Sequence, residues 1–525
     1  MKILTAAAMQ ELDRRTIEAA GVPGAVLMEN AGRAAAEVIV DRFTSLFPGP
    51  VLVLCGRGNN GGDGFVVARL LQAAGWQVRT LLLAERVAVS GDAETMLLQY
   101  EKRGGRVVEA PDADRLASAL DFAAGCRLHV DALFGTGFVR APQGVAAAAI
   151  AWLNSQAAPV VAIDLPSGVD ASSGAIPGVA VRATLTVTFA FPKIGLVSCP
   201  GAGQAGEVVT VPIGIPDEIA ATASAEALLV DAAEARALLP SRPAEGHKGT
   251  FGHLLVIAGS LGKSGAAVMT ATAGLRGGAG LVTLACPAGM QQVAACHSVE
   301  IMTAPLLEVA GAVSLQAMEE LLQLAEGKQA VAIGPGLGTT DEAGALVRRF
   351  LKETELPAVV DADALNALGG HAEVLARRRG RATVLTPHPG EMARLCGLSV
   401  AEVQADRVGV AVRFAREHGV VVLLKGARTV VAAPDGRLRI NASGHPGMAS
   451  GGMGDVLAGL IGGLLAQGVE AGDAAVLGAY LHGLAGDRLY PRFGDAGLLA
   501  TDLLAEIPAA RHSLVSCAVG SLHKL

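Results

Sequence analysis

Gly56-Arg57-Gly58-Asn59-Asn60-Gly61-Gly62-Asp63-Gly64 decides how the first part of this chain folds. An apolar run, 51–54, precedes it, and a helical stretch, 65–74, follows. Strand, glycine-rich turn and helix in that order bring backbone N–H groups to a helix N-terminus, where they can meet phosphate. Glycine lets the backbone turn tightly and approach a ligand closely. Alone, such a turn reads equally well as a plain strand-to-helix connection. Asn59, Asn60 and Asp63 make it more specific, because polar side chains in that position need a purpose or a partner.

Working outward, short apolar runs at 128–133, 160–163 and 186–191 alternate with helical stretches. That alternation predicts a parallel sheet with helices on both faces. Three more polar groups fall at the C-terminal ends of these strands: Asp131 with Gly135-Thr136-Gly137, Asp164-Leu165-Pro166-Ser167-Gly168, and Phe191-Pro192-Lys193. Open α/β sheets bind ligands at that edge. A single strand-end Asp is often a helix cap, but several converging on one edge point to a site.

After about residue 215 the pattern loosens into Ala-rich sequence and a Pro/Gly segment at 240–249. A second α/β series follows, with strands expected at 253–258, 281–285, 331–333, 358–360, 383–385 and 420–424. The reading is therefore two domains, 1–220 and 221–525, with no short internal repeat. The strongest local signal of the second is the run from Asn441 through Gly451-Gly452-Met453-Gly454 to Asp455, followed by the small and apolar stretch 456–465. Its glycines expose backbone N–H groups to an anion at the helix start. A carboxylate there can take a proton from a hydroxyl while those N–H groups stabilise a phosphoryl in transfer. The plainer reading of Asp455 is a helix cap.

Composition bounds the rest. Hydrophobic residues are 51% of the 525 and aromatic residues only 3%, so Ala, Val, Leu and Gly must fill the cores. The net charge of −7 gives no general affinity for nucleic acid, and anionic ligands must be held locally. Seven cysteines are scattered without CxxC spacing, which argues against a disulfide framework or a zinc site. The uncharged segment 141–163 is interrupted by Pro142, Asn154, Gln156 and Pro159, and reads as helix, turn and buried strand rather than a membrane span. A cytoplasmic protein is expected, with small-molecule partners, no nucleic acid or membrane partner, and self-association into a homo-oligomer.

At 58–64 (GNNGGDG), 131–137 (DALFGTG), 164–170 (DLPSGVD) and 189–196 (FAFPKIGL) the chain resembles the NAD(P)H-hydrate epimerase family, over about residues 1 to 215. That resemblance implies that Asn59, Asn60, Gly61, Gly62 and Asp63 contact the hydrated nucleotide. It implies the same of Gly135, Thr136, Gly137, Phe138, Val139, Arg140 and Ala141, and of Asp164. It further implies that Asn60, Asp131 and Ser167 hold K+, for which hard oxygen ligands are suited. Asp164 is the expected acid/base and Lys193 the assisting charge; for Lys193 a structural ion pair is an equal alternative.

The second half resembles the ribokinase-like superfamily through its Gly-Met-Gly-Asp run. It is narrowed to the NAD(P)H-hydrate dehydratase branch by His247-Lys248-Gly249, Gly334-Pro335-Gly336-Leu337-Gly338, Asp361-Ala362-Asp363, Thr386-Pro387-His388-Pro389-Gly390-Glu391 and Lys425-Gly426-Ala427-Arg428-Thr429, over about residues 225 to 510. By this resemblance Lys425, Gly426, Ala427, Arg428, Thr429 and Gly454 bind the adenine nucleotide, and Ala267, Gly336, His388 and Asp455 face the hydrated NAD(P)H. His388 reads equally as a turn residue. Mg2+ is expected wherever a phosphoryl group moves, with Asp361, Asp363 and Glu391 as ligands or water-mediated partners. The implied whole is a Rossmann-like three-layer α/β domain followed by a ribokinase-like α/β domain. It would epimerise the R and S forms of hydrated NADH and NADPH, and dehydrate the S form at the expense of ADP, giving AMP and phosphate. The alternative is a vitamin-precursor kinase fused to a ligand-binding domain. A kinase leaves a stable phosphorylated product, whereas a dehydratase releases inorganic phosphate.

Overall fold

A computed structural model describes residues 1–138, 140–223 and 227–516. Its contacts separate a unit spanning Lys2–Ala227 from one that begins at Leu228.

The first unit is built on β1 (Pro50–Cys55), β2 (Gln77–Leu82), β3 (Val107–Glu109), β4 (Leu128–Ala132), β5 (Val160–Ile163), β6 (Leu185–Phe189) and β7 (Glu207–Val211). They form one sheet in the order β3-β2-β1-β4-β5-β6-β7, every pair parallel. β1, β4 and β5 are buried almost throughout, which is why they read as unbroken apolar runs. The chain leaves β1 toward β2 and β3, then returns to place β4 on the other side of β1. The loops after β1 and β4 therefore diverge and open a crevice.

The glycine-rich segment departs from expectation. It is helix rather than turn: the helix runs Asn59–Ala73, so Asn60, Gly61, Gly62 and Asp63 lie in its first turns. Glycine weakens an isolated helix, but here close packing requires it. A Cβ at Gly61 would lie 1.8 Å from the Gly56 carbonyl oxygen, and one at Gly64 2.6 Å from the Ala132 Cβ.

The second unit contains β8 (Ala227–Val230), β9 (His253–Ile257), β10 (Leu281–Pro287), β11 (Met302–Leu306), the small hairpin β12 (Glu308–Val309) and β13 (Ala312–Val313), β14 (Ala330–Ile333), β15 (Ala358–Val360), β16 (Thr383–Leu385), β17 (Val421–Leu424), β18 (Thr429–Ala432) and β19 (Leu438–Asn441). The main sheet has the order β11-β10-β9-β14-β15-β16-β17-β18-β19-β8, parallel from β11 to β17 and antiparallel across β18 and β19. Strand order reverses between β9 and β14. The helix Met453–Ala466 packs on Ser264–Arg276 through glycine: a Cβ at Gly459 would lie 1.9 Å from the Thr270 carbonyl oxygen.

Residues 141–163 contribute the helix Gly144–Ser155 and β5. Among the described residues no helix is long and apolar enough to cross a membrane. The six described cysteines are free, and Cys517 lies outside the described residues.

Candidate active sites

In the first unit a cleft of about 500 Å³ opens where the strand order reverses, lined by Asn59, Asn60, Asp63, Gly135, Thr136, Gly137, Phe138, Asp164 and Lys193. Four segments far apart in sequence thus meet in one place. Gly61 and Gly62 are not part of the lining. Gly61 packs on Gly56, and a Cβ at Gly62 would lie 2.4 Å from Met28 Sδ, so close packing at both positions requires glycine. Arg140 and Ala141 also lie outside the lining, and Val139 lies outside the described residues.

Asp164 follows β5 with φ of 67°, a left-handed backbone conformation that non-glycine residues rarely adopt and that functional sites often hold. Its Oδ1 accepts a 2.6 Å bond from Lys193 Nζ. The ammonium also donates to Thr188 Oγ1 at 3.0 Å and to the Phe189 carbonyl at 2.9 Å, and Lys193 is only 1% exposed. All three of its donors are therefore used. Lys193 is an ion-pair partner that fixes the Asp164 carboxylate. Asp164 Oδ2 and Asn60 Oδ1 each lie 3.3 Å from the position a Gly135 Cβ would take, so both reach the glycine loop. Asn60 is 8% exposed, and neither its Oδ1 nor its Nδ2 has a hydrogen-bond partner.

Asp131 and Ser167 lie together under the turn after β4. Asp131 Oδ1 accepts from Ser167 Oγ at 2.6 Å and Oδ2 from Ser167 N at 2.8 Å, while Ser167 Oγ accepts from Phe134 N at 2.9 Å. Asp131 is wholly buried and has no ion pair among the described residues. Burial raises its carboxyl to about 6, against the lowering effect of the bonds from Ser167 and Leu133. Among the lining residues that carried no signal in the sequence is Asp13, on the helix Ala6–Glu18, whose burial raises its carboxyl to about 6.

In the second unit the chemistry gathers at the start of the helix Met453–Ala466, whose preceding residue Gly452 has φ of 91°. The first-turn N–H groups of a helix have no partner inside it. Asp455 lies in that turn. Burial, then the Asp361 charge, raises its carboxyl to about 6, with Lys425 opposing. Lys425 Nζ donates to Asp361 Oδ1 at 2.6 Å and lies 3.7 Å from Glu391 Oε2. Burial draws the ammonium down, but Asp361, Glu391 and Asp455 outweigh it and hold it above its ordinary value. A Cβ at Gly454 would lie 3.4 Å from Lys425 Nζ, which brings β17 to the helix start. Gly426, Ala427, Arg428 and Thr429 continue this turn from β17 into β18, with Arg428 in the left-handed region at φ 55°.

The other expected residues are dispersed around this edge. Ala267 is fully buried beneath Gly259. The Gly336 carbonyl accepts from Ser260 Oγ at 2.7 Å, which ties the loop after β14 to the loop after β9. His388 caps the helix Pro389–Cys396: its Nδ1 accepts from Gly390 N at 2.9 Å, and Glu391 Oε2 accepts from His388 N at 2.8 Å. Asp363 accepts from Lys263 Nζ at 3.0 Å and from Gly338 N at 2.9 Å. Asp361, Asp363 and Glu391 are thus each committed to protein donors, and no group of three or more His, Cys, Asp or Glu among the described residues could hold a metal directly. Neither Lys263 nor His482, whose Nε2 lies 2.9 Å from the Met453 carbonyl at the helix start, carried a signal in the sequence.

Comparison with known proteins follows the same division. A family model described as NAD(P)H-hydrate dehydratase matches residues 254–509, and one described as YjeF-related protein N-terminus matches residues 24–195. The chain is 46% identical over 516 residues to the bifunctional NAD(P)H-hydrate repair enzyme Nnr of Moorella thermoacetica, covering 98% of this chain and 97% of that one. The Escherichia coli protein of the same name is 39% identical over 504 residues, covering 95% and 92%. Among solved structures, the ADP/ATP-dependent NAD(P)H-hydrate dehydratase of Bacillus subtilis, co-crystallised with ATP and Mg2+, is 31% identical and covers 55% of this chain and 98% of its own, with a TM-score of 0.48.

Proposed function

The chain belongs to the bifunctional NAD(P)H-hydrate repair enzymes, and from that premise we propose that the cleft of the first unit epimerises the hydrated nucleotide while the Asp455 edge of the second dehydrates it. The enzyme carries an epimerase domain and a dehydratase domain in one chain. The observation that carries the division of labour is the pair of unlike carboxylates: Asp164, held by a buried lysine in a cleft, and Asp455, at the start of a glycine-rich helix.

Epimerisation inverts the carbon bearing the ring hydroxyl. The ring nitrogen expels the hydroxyl, water returns on the other face, and protons must be supplied and removed. Asp164 is suited to this, because Lys193 fixes one of its oxygens and leaves Oδ2 toward the glycine loop. Asn60, whose Oδ1 has no hydrogen-bond partner, and Asp131 with Ser167, a buried carboxylate without an ion pair among the described residues, supply the hard oxygens that would hold K+. Bound there, the ion would supply positive charge to a site that has only one lysine among its carboxylates.

Hydroxide is a poor leaving group, and phosphorylation makes the ring oxygen easy to lose. Asp455 would take the proton of the ring hydroxyl as it attacks the phosphoryl group of ADP. The first-turn N–H groups and Lys425 would hold that phosphoryl. The ring nitrogen then expels phosphate and the dihydropyridine returns. Mg2+ would arrive with the nucleotide and neutralise phosphate charge. Asp361, Asp363 and Glu391 would meet it directly or through water. Gly426, Ala427, Arg428 and Thr429 would shape the nucleotide site, and Ala267, Gly336 and His388 the substrate side. The free, scattered cysteines suit a reducing compartment such as the cytoplasm.

Incubation with hydrated NADH and ADP, with phosphate assay, tests this. One inorganic phosphate released per NADH recovered is expected. A stable phosphorylated nucleotide with no recovery of NADH absorbance would instead make the second unit a kinase.

A further inference from the structure

On the helix Ala6–Glu18, Met9, Asp13 and Ile17 recur at intervals of four and line the first cleft, while Leu12 and Thr16 are buried on another face. The helix is anchored at its start. Thr5 caps it by accepting from Ala8 N at 3.1 Å, and Ala6 N donates to Ser172 Oγ at 3.0 Å. Just before it, Leu4 forms a parallel bridge with Lys193: Leu4 N donates to the Pro192 carbonyl and Ile194 N to the Leu4 carbonyl, both at 3.0 Å. The backbone that carries Asp13 is thus tied to the backbone that carries Lys193.

Asp13 Oδ1 is buried without a hydrogen-bond partner, and Asp13 has no ion pair among the described residues. A buried carboxyl oxygen with no hydrogen-bond partner is costly to hold in the charged form. Around it are Asp63, Asp164 and Lys193. The single lysine is already spent on Asp164, Thr188 and Phe189. Asp13 and Asp63 are therefore left without that lysine, and the crowding of carboxyl groups disfavours their charged forms. Burial raises Asp13 to about 6, Lys193 lowers it and Asp164 raises it; Asp63 is held well above its ordinary value, chiefly by burial. Beside them, both polar atoms of the nine-tenths-buried Asn60 lack partners at the same cleft.

We infer that Asp13 is a second catalytic residue of this cleft, the group that hands a proton to the departing ring hydroxyl while Asp164 takes one from the returning water. This rests on the reading of the first cleft as the epimerase site. The hydroxyl leaves from one face of the ring and water returns on the other, and a single carboxyl fixed on one side cannot serve both faces. In the step, the ring C–O bond breaks as the nitrogen lone pair forms C=N, and the oxygen leaves as water with the Asp13 proton. Water then adds to the opposite face, the new C–O bond returns the electron pair to nitrogen, and the released proton passes to Asp164. The substrate keeps its composition. One proton has moved from Asp13 to Asp164, and it is restored by the reverse reaction or by solvent.

The test uses the full chain without ADP, with separated hydrate isomers followed chromatographically to equilibrium across the pH range around 6. Asp13→Asn is expected to lower epimerase kcat by about 10²- to 10⁴-fold, with KM little changed, and to abolish the fall in rate as pH rises through the range where wild-type Asp13 loses its proton. Asp13→Ser gives the same readout if the Asn variant does not fold. A variant with near wild-type kcat, or one that is slow but keeps the alkaline fall, overturns the assignment. So does loss of that fall in Asp63→Asn and not in Asp13→Asn. A wild-type protein that does not interconvert the isomers overturns the reading of the cleft itself, which distinguishes the two failures.

Discussion

Lys193→Met removes the one lysine that lines the first cleft while keeping an unbranched side chain of similar length. Three hydrogen bonds are lost at once, to Asp164 Oδ1, Thr188 Oγ1 and the Phe189 carbonyl. The group left behind is a carboxylate on a left-handed backbone, near Asp13 and Asp63, with no other ion pair among the described residues. Breaking a buried pair from one side costs about 3–5 kcal/mol. In a unit spanning Lys2–Ala227, each 1 kcal/mol shifts Tm by roughly 2–4 °C, so melting of that unit should fall by roughly 6–20 °C. Scanning calorimetry of the full chain measures it, with the transition of the second unit as internal reference. The double variant Lys193→Met with Asp164→Asn should recover a large part of the loss, because the unpaired charge has gone. A single variant that melts within a degree or two of wild type, or a double variant that melts lower still by the full sum, would refute the reasoning.

Other expectations follow from the same geometry. Asp455→Asn should abolish nucleotide-driven dehydration while nucleotide binding, measured by calorimetric titration, stays near wild type; retention of more than about a tenth of the activity would exclude it as the base. Since Asp455 is raised to about 6 by burial and by Asp361, and must be ionised to accept a proton, dehydratase kcat/KM should rise with pH up to about 6 and level off above it. Gly61→Ala and Gly454→Ala should fail differently. The first drives a Cβ to 1.8 Å from the Gly56 backbone oxygen and should lower the stability of the first unit by about 1–3 kcal/mol. The second meets only an ordinary 3.4 Å contact and should leave Tm unchanged while raising KM for ADP.

Much of this architecture is legible in the chain because parallel strands buried on both faces must be apolar throughout, as in β1, β4 and β5. Strands of mixed polarity were missed: β2 begins with the exposed Gln77, and β7 with the exposed Glu207. The helix from Asn59 was not legible as helix, since its glycines argue against one locally and only the neighbouring strand ends require them. Asp164, Asp131 and Ser167 could be expected to converge because each lies at the C-terminal end of a buried strand or just beyond it. What each polar group is bonded to was out of reach. Lys425 and Asp361 are 64 residues apart in the chain, and nothing near either names the other. Asp13 sits on an ordinary amphipathic helix, and only the bridge between Leu4 and Lys193 explains why its carboxyl reaches the cleft.

The central claim is that two separate carboxylates in one chain perform two successive steps. A mixture of both hydrate isomers with ADP and Mg2+, sampled chromatographically over time, tests it most directly. Wild type should convert all of the mixture to NADH. Asp164→Ala should consume one isomer rapidly and then slow to the rate of spontaneous epimerisation. Asp455→Ala should recover no NADH, yet bring the two isomers to equilibrium. Rapid and complete repair by Asp164→Ala, or recovery of NADH by Asp455→Ala, would contradict the account.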